Sequence, residues 1–214
     1  MKKIILIGDS IRMGYDKYVK DALDGVAQVL YPEENCKFAV YVLRFLGDWR
    51  KKGEWGDDAD LVHWNAGLWD LADMNGEGPL TDMDYYGKTV ARINRHIKRL
   101  FPKAKIVFAT STSVVESGYG PGFKRTNRVI EEFNSTAIRA LEGSGTVIND
   151  LYRASVDIPD SFRSDMTHFN TNEGRAYMGN KVLSVICREL DIDPKQIKLE
   201  SFVPENYTDD NIGY

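Results

Sequence analysis

The sequence predicts a three-layer α/β/α domain built on a five-stranded parallel sheet, and three observations lead there. Five short apolar runs recur along the 214 residues: Lys3–Ile7, Val26–Leu30, Leu61–Trp64, Ile106–Ala109 and Thr146–Ile148. Between them lie segments whose apolar residues repeat with the 3.6-residue period of a helix. The first run stops at Gly8 and hands over at once to Ile11, Met13 and Tyr15, which reads as strand, tight turn and helix. Strands separated by helices of this length pair in parallel, with helices covering both faces of the sheet.

Taken in chain order, the first strand delivers Gly8-Asp9-Ser10 to the start of a helix. Unpaired backbone N–H groups and the positive end of the helix dipole favour negative charge there. That suits a nucleophile whose reaction builds an oxyanion. It equally suits a plain helix cap, since Asp and Ser both cap helices. The third strand runs into Asn65-Ala66-Gly67-Leu68-Trp69-Asp70, and the fourth into Thr110–Ser113. The helix between those strands carries Tyr86, Val90, Ile93, Ile97 and Leu100 on one stripe. Ile130, Phe133, Ala137 and Leu141 form the next stripe; Ala176, Val182, Leu183, Ile186 and Leu190 form the last, started by Asn170 or Thr171 with Glu173 in its first turn. Residues 1–190 make one domain, and 191–214, with Pro194 and Pro204, read as a tail packed on that domain or extending from it.

Bulk composition narrows the function classes. An apolar content of 43% is enough for one sizeable core. A net charge of −4 with scattered basic residues argues against nucleic-acid binding; the run Arg92, Arg95, Lys98 and Arg99 reads as a solvated helix face. No segment approaches the roughly 20 apolar residues of a membrane span, and the N-terminal run is too short for a signal peptide. Cys36 and Cys187 are too few for a disulfide framework or a zinc site, so a reducing, cytoplasmic setting is expected. Gly87-Lys88-Thr89 lacks the first glycine of a phosphate loop, because position 82 is Asp82. Neither Gly-x-Gly-x-x-Gly after the first strand nor Gly-x-Ser-x-Gly anywhere is present.

In a sheet of this kind, ligands bind beyond the carboxyl ends of the strands, which returns attention to Ser10. A serine hydroxyl needs a base within hydrogen-bond reach, and the base needs a group to orient it. Of the three histidines, His96 lies on the basic helix and His63 inside a strand, where a structural role is the simpler reading. His168 stands in a loop before the final helix, three residues after Asp165, a spacing that lets both side chains point the same way.

Gly8-Asp9-Ser10 at one end and Asp165-Met166-Thr167-His168 at the other together resemble the SGNH or GDSL hydrolases. The resemblance runs nearly the whole chain; Gly67-Leu68-Trp69-Asp70 stands where that family has Gly-x-Asn-Asp, and Asn127–Ala137 looks like its helix after the fourth strand. It implies a flavodoxin-like fold and cleavage of esters, thioesters or O-acetyl groups. It also implies Ser10 as nucleophile, His168 as general base and acid, and Asp165 as the residue that orients it. Two departures concern the oxyanion hole. The family asparagine is replaced by Trp69, and the glycine of its second block falls at Ala39 or Val40 in Asn35–Leu46. Ser10, Ala39 and Gly67 are then the candidate backbone donors and Asn65 the candidate side-chain donor; Asp9, Trp69 and Asp70 are candidate pocket residues. Trp49, Trp55, Trp64, Trp69 and Tyr119 could offer a platform for a sugar ring or belong to the core. The expected function is hydrolysis of a small-molecule ester, including O-deacetylation of a carbohydrate, with no metal or cofactor. The alternative is a catalytically weak or inactive ligand-binding relative.

Overall fold

The computed structural model describes residues 1–197. Strand β1 (Lys2–Ile7) leads into helix α1 (Ser10–Ala22), followed by β2 (Ala27–Leu30), α2 (Ala39–Lys52) and β3 (Leu61–Trp64). A two-residue strand, β4 (Asp73–Met74), precedes α3 (Met83–Leu100), β5 (Lys105–Ala109) and a second two-residue strand, β6 (Phe123–Lys124). The chain closes with α4 (Asn127–Leu141), β7 (Val147–Asn149), α5 (Leu151–Val156) and α6 (Asn172–Leu190).

The main sheet is wholly parallel in the order β2-β1-β3-β5-β7, with Ile4 opposite Leu61 and Val62 opposite Ile106. Ile4–Ile7 and Leu61–Trp64 are buried at every position, as strands covered on both faces must be. Helix α1 packs against α6 and α6 against α5; α3 packs against both α2 and α4. These two helix groups supply the outer layers. From β1 the chain moves outward to β2, then returns to β3 on the other side of β1. The sheet therefore has its switch point between β1 and β3, where a crevice opens beyond the strand ends.

The three helical stripes are core faces. Tyr86, Val90, Ile93 and Ile97 are buried, as are Ile130, Phe133, Ala137 and Leu141, and Val182, Leu183 and Ile186. Caps set the helix starts: Asp82 accepts from the N–H of Tyr85, Thr126 from Val129, and Thr171, not Asn170, from Gly174. Strand β7 ends one residue later than its apolar run, because Asn149 continues the ladder opposite Ala109 and its side chain reaches His63 Nε2 at 3.1 Å. The antiparallel pair β4–β6 and the short α5 have no periodic signal, since two-residue strands and a six-residue helix are too short to show one. Residues 191–197 meet the C-terminal end of α1, with Lys195 donating its N–H to the carbonyl of Ala22 at 2.7 Å. The rest of the expected tail, 198–214, lies outside the described residues.

Candidate active site

Strand β1 ends under Gly8, and the geometry there leaves no room for a side chain. A Cβ at position 8 would sit 1.8 Å from Asn65 Oδ1 and 2.8 Å from Arg12 Cβ, while the Gly8 carbonyl accepts from Cys36 N–H at 3.1 Å. Close approach of β1, β3 and the segment before α2 is what this glycine permits. Gly8→Ala should therefore cost at least the about 1–3 kcal/mol of an overpacked core, read as a lower denaturation midpoint; an unchanged midpoint would contradict the contact.

Asp9 caps α1. Its Oδ1 accepts from Ile11 N–H at 3.0 Å and from Asn65 Nδ2 at 2.9 Å, which settles the cap on Asp9 and leaves Ser10 as the first helical residue. The Ser10 hydroxyl lies 2.8 Å from His168 Nε2, and His168 Nδ1 lies 2.7 Å from Asp165 Oδ2. The other oxygen of Asp165 accepts the backbone N–H groups of Thr167 at 2.6 Å and His168 at 2.8 Å. Asp165 thus turns its own loop around itself, and the short spacing to His168 follows from that turn. Burial works against its charge, but His168 and the two N–H donors outweigh it and hold its pKa at about 2. Three residues that stand 158 positions apart at the extremes are joined in one hydrogen-bonded line.

The expected oxyanion and pocket residues are rearranged by the structure. Asp9 and Asp70 are fully buried, with their carboxylates turned onto protein donors. Asp70 accepts from Ala39 N–H at 2.9 Å and from Thr81 Oγ1 at 3.0 Å, pinning the start of α2 to the loop after β3; burial raises its pKa to about 6. The N–H of Ala39 is consequently spoken for, and the next one along, Val40, donates to no described residue. Asn65 is likewise turned to Asp9, beneath Ser10, because a buried carboxylate needs a donor more than a loop needs an exposed amide. Ser10 and Gly67 keep backbone N–H groups that donate to no described residue. Gly67 has φ +147°, and a Cβ there would meet Ser111 Oγ at 2.5 Å, so only glycine fits. Trp69 is half-buried, edge-on to Phe38 at 5.5 Å between centroids, with Lys37 Nζ 5.9 Å from its ring. Trp49, Trp55 and Trp64 are core residues.

Sequence reasoning missed Arg125. The residue is 4% exposed, with Nε donating to the Leu68 carbonyl at 2.6 Å and Nη1 3.5 Å from the Tyr119 hydroxyl. That hydroxyl shares a 2.6 Å hydrogen bond with Thr167, next to His168. In the run Phe123-Lys124-Arg125-Thr126-Asn127-Arg128, nothing distinguishes Arg125 from its basic neighbours. His63 is a core residue: burial pushes its pKa down to about 3. Its unfolded counterpart titrates near ~6.5, so its contribution to stability is complete above that pH and is lost as pH falls towards about 3. Replacing His63 with Leu should flatten the fall of stability between those limits, measured by denaturation at several pH values. An unaltered slope would place the acid sensitivity elsewhere.

No protein-family model and no curated protein matches the chain. Solved structures do. A GDSL-like lipase from Bacteroides thetaiotaomicron superposes with a TM-score of 0.67 at 16% identity, covering 87% of this chain and 88% of that one. A lipase/acylhydrolase from Enterococcus faecalis gives 0.68 at 20% identity, covering 92% and 100%. A carbohydrate esterase family 3 protein from Talaromyces cellulolyticus gives 0.64 at 14% identity, covering 90% and 100%. The chain shares their fold over nearly its whole described length.

Proposed function

We propose that this protein is a serine ester hydrolase of the SGNH or GDSL type, with Ser10 as nucleophile, His168 as base and acid, and Asp165 as orienting carboxylate. The observation that carries the reading is the unbroken line from Ser10 Oγ through His168 to Asp165, at 2.8 and 2.7 Å. The fold shared with lipases, an acylhydrolase and a carbohydrate esterase supports it.

In this reading, Asp165 accepts the Nδ1 proton of His168, leaving Nε2 as the lone-pair nitrogen that faces Ser10. Ser10 Oγ attacks the ester carbonyl carbon as its proton passes to Nε2. The carbonyl oxygen gains the negative charge, and the N–H groups of Ser10, Gly67 and Val40 are its candidate donors. The tetrahedral centre collapses, the carbon–oxygen bond to the alcohol breaks, and Nε2 returns the proton to the departing oxygen. Water then repeats the sequence on the acyl-serine and releases the acid. A void of about 10 Å³ against Ser10 and His168, walled by Ile11, Phe169 and Met178, holds little more than a water molecule.

Fluorophosphonate labelling of Ser10, with hydrolysis of acetyl, butyryl and octanoyl p-nitrophenyl esters, tests the assignment. Labelling of Ser10 together with turnover of these esters supports it; an unlabelled Ser10 would favour the ligand-binding alternative. The rate should also fall along a single acid limb, because His168 must be neutral to take the serine proton. Asp165, held at about 2, stays ionised throughout that limb, and His63, at about 3, stays neutral. Replacing His63 should leave the limb in place when rates are corrected for folded protein.

A further inference from the structure

Arg92, Arg95 and Arg99 follow each other at three and four residues on α3, so all three leave one face of that helix. That face looks towards α2. The two helices border an open groove of about 660 Å³, lined by these arginines with Val40, Arg44 and Tyr85. Arg44 is paired with Asp48 at 2.7 Å, and nearby Lys88 with Asp84 at 2.6 Å. Arg92, Arg95 and Arg99 form no ion pair with a described residue. His96, also in the wall, has its pKa lowered by burial and by the charge of Arg99. In a chain of net charge −4, this is a local concentration of the opposite sign.

The groove has a direction. Its Val40 end adjoins Ala39, which donates to Asp70 in the loop after β3. Tyr85, at the same end, precedes Tyr86, whose hydroxyl donates to the Ala66 carbonyl at 2.8 Å. The groove therefore starts at the edge of the sheet that carries Ser10 and runs down α3 to Arg99, about 21 Å at 1.5 Å per residue. The site end carries two more cations, Arg125 on the Leu68 carbonyl and Lys37 over Trp69. Neither has an ion-pair partner among the described residues, while Asp9 and Asp70 are turned inward onto protein donors.

We propose that the ester hydrolysed at Ser10 is carried on an acidic oligosaccharide, whose carboxylates lie along the arginine groove. The proposal rests on the serine-hydrolase reading and names its substrate class. Guanidinium groups match carboxylates in planar, two-point hydrogen bonds. A single-stranded nucleic acid would call for a row of stacking aromatics, and the groove lining offers two separated rings, Tyr85 at one end and His96 further down α3.

The test compares kcat/KM on acetylated oligogalacturonate with that on an acetylated xylo-oligomer of equal length. The acidic substrate should be preferred at low salt, with the preference shrinking as salt rises. Arg92→Ser/Arg95→Ser should reduce the ratio of the two kcat/KM values at least tenfold. Unesterified oligogalacturonate should bind wild type in calorimetry and bind the double variant at least tenfold more weakly. Equal use of both substrates, a salt-independent ratio, or a ratio unmoved by the double variant would overturn the proposal. So would absent oligogalacturonate binding, or tighter binding of a single-stranded oligonucleotide of the same charge. Failure of the serine-hydrolase reading is separate: p-nitrophenyl acetate would then go unhydrolysed and Ser10 unlabelled.

Discussion

Ser10→Ala should lower kcat on p-nitrophenyl acetate by about four to six powers of ten, the range that loss of a serine or histidine from such a unit produces. Stability should barely move. The cap of α1 belongs to Asp9, whose bonds to Ile11 and Asn65 do not involve the Ser10 hydroxyl. Alanine at the first helical position also carries no propensity cost. His168→Ala should lose a similar factor, and the double variant little more, because two residues that act in one proton transfer are not additive. Fluorophosphonate should label wild type and leave Ser10→Ala untouched. Retained turnover in a purified Ser10→Ala protein with an unchanged melting temperature would remove Ser10 from the chemistry.

The parts of this site legible in sequence are those written by short-range pattern. Ile4–Ile7 with the turn at Gly8 announces strand and helix, and the three-residue spacing of Asp165 and His168 is enforced by the turn that Asp165 caps onto Thr167 and His168. The stripes of α3, α4 and α6 are legible for the same reason: one face of each repeats every three or four residues against the sheet. What was illegible depends on which partner a polar group finds across the fold. Asn65 and Ala39 offer donors of the right kind, yet Asp9 and Asp70, buried and in need of hydrogen bonds, claim them. Arg125 is invisible because its position follows from a carbonyl 57 residues earlier, that of Leu68. The arginines of α3 read as a solvated face, since their spacing alone does not reveal that α2 lies alongside and makes that face the wall of a groove.

Asp165→Asn should lower kcat by about four powers of ten while leaving the loop folded, and the local geometry explains why so mild a change costs so much. Asp165 Oδ1 is held by two backbone N–H groups, those of Thr167 and His168, at 2.6 and 2.8 Å. An asparagine in this place must keep its carbonyl oxygen there, because its NH2 group cannot accept those bonds. Its NH2 is then forced to the position of Oδ2, 2.7 Å from His168 Nδ1. Facing a donor, Nδ1 becomes the acceptor and the ring proton moves to Nε2, the nitrogen 2.8 Å from Ser10 Oγ. A protonated Nε2 cannot take the serine proton, so the base is lost although the loop keeps its two backbone hydrogen bonds. The stability consequence runs the other way in pH. A carboxyl held at about 2, below its ordinary 3.8, stabilises the fold above the ordinary value and loses that contribution as pH falls through about 2. Wild type and Asp165→Asn should therefore differ in stability at neutral pH and converge in strong acid. The decisive measurement is kcat of Asp165→Asn beside Asp165→Ala. Alanine removes the carboxylate without imposing a donor on Nδ1, leaving some His168 in the reactive tautomer. Asn slower than or equal to Ala supports the tautomer argument; near wild-type turnover in Asp165→Asn would show that the carboxylate does not set the state of His168.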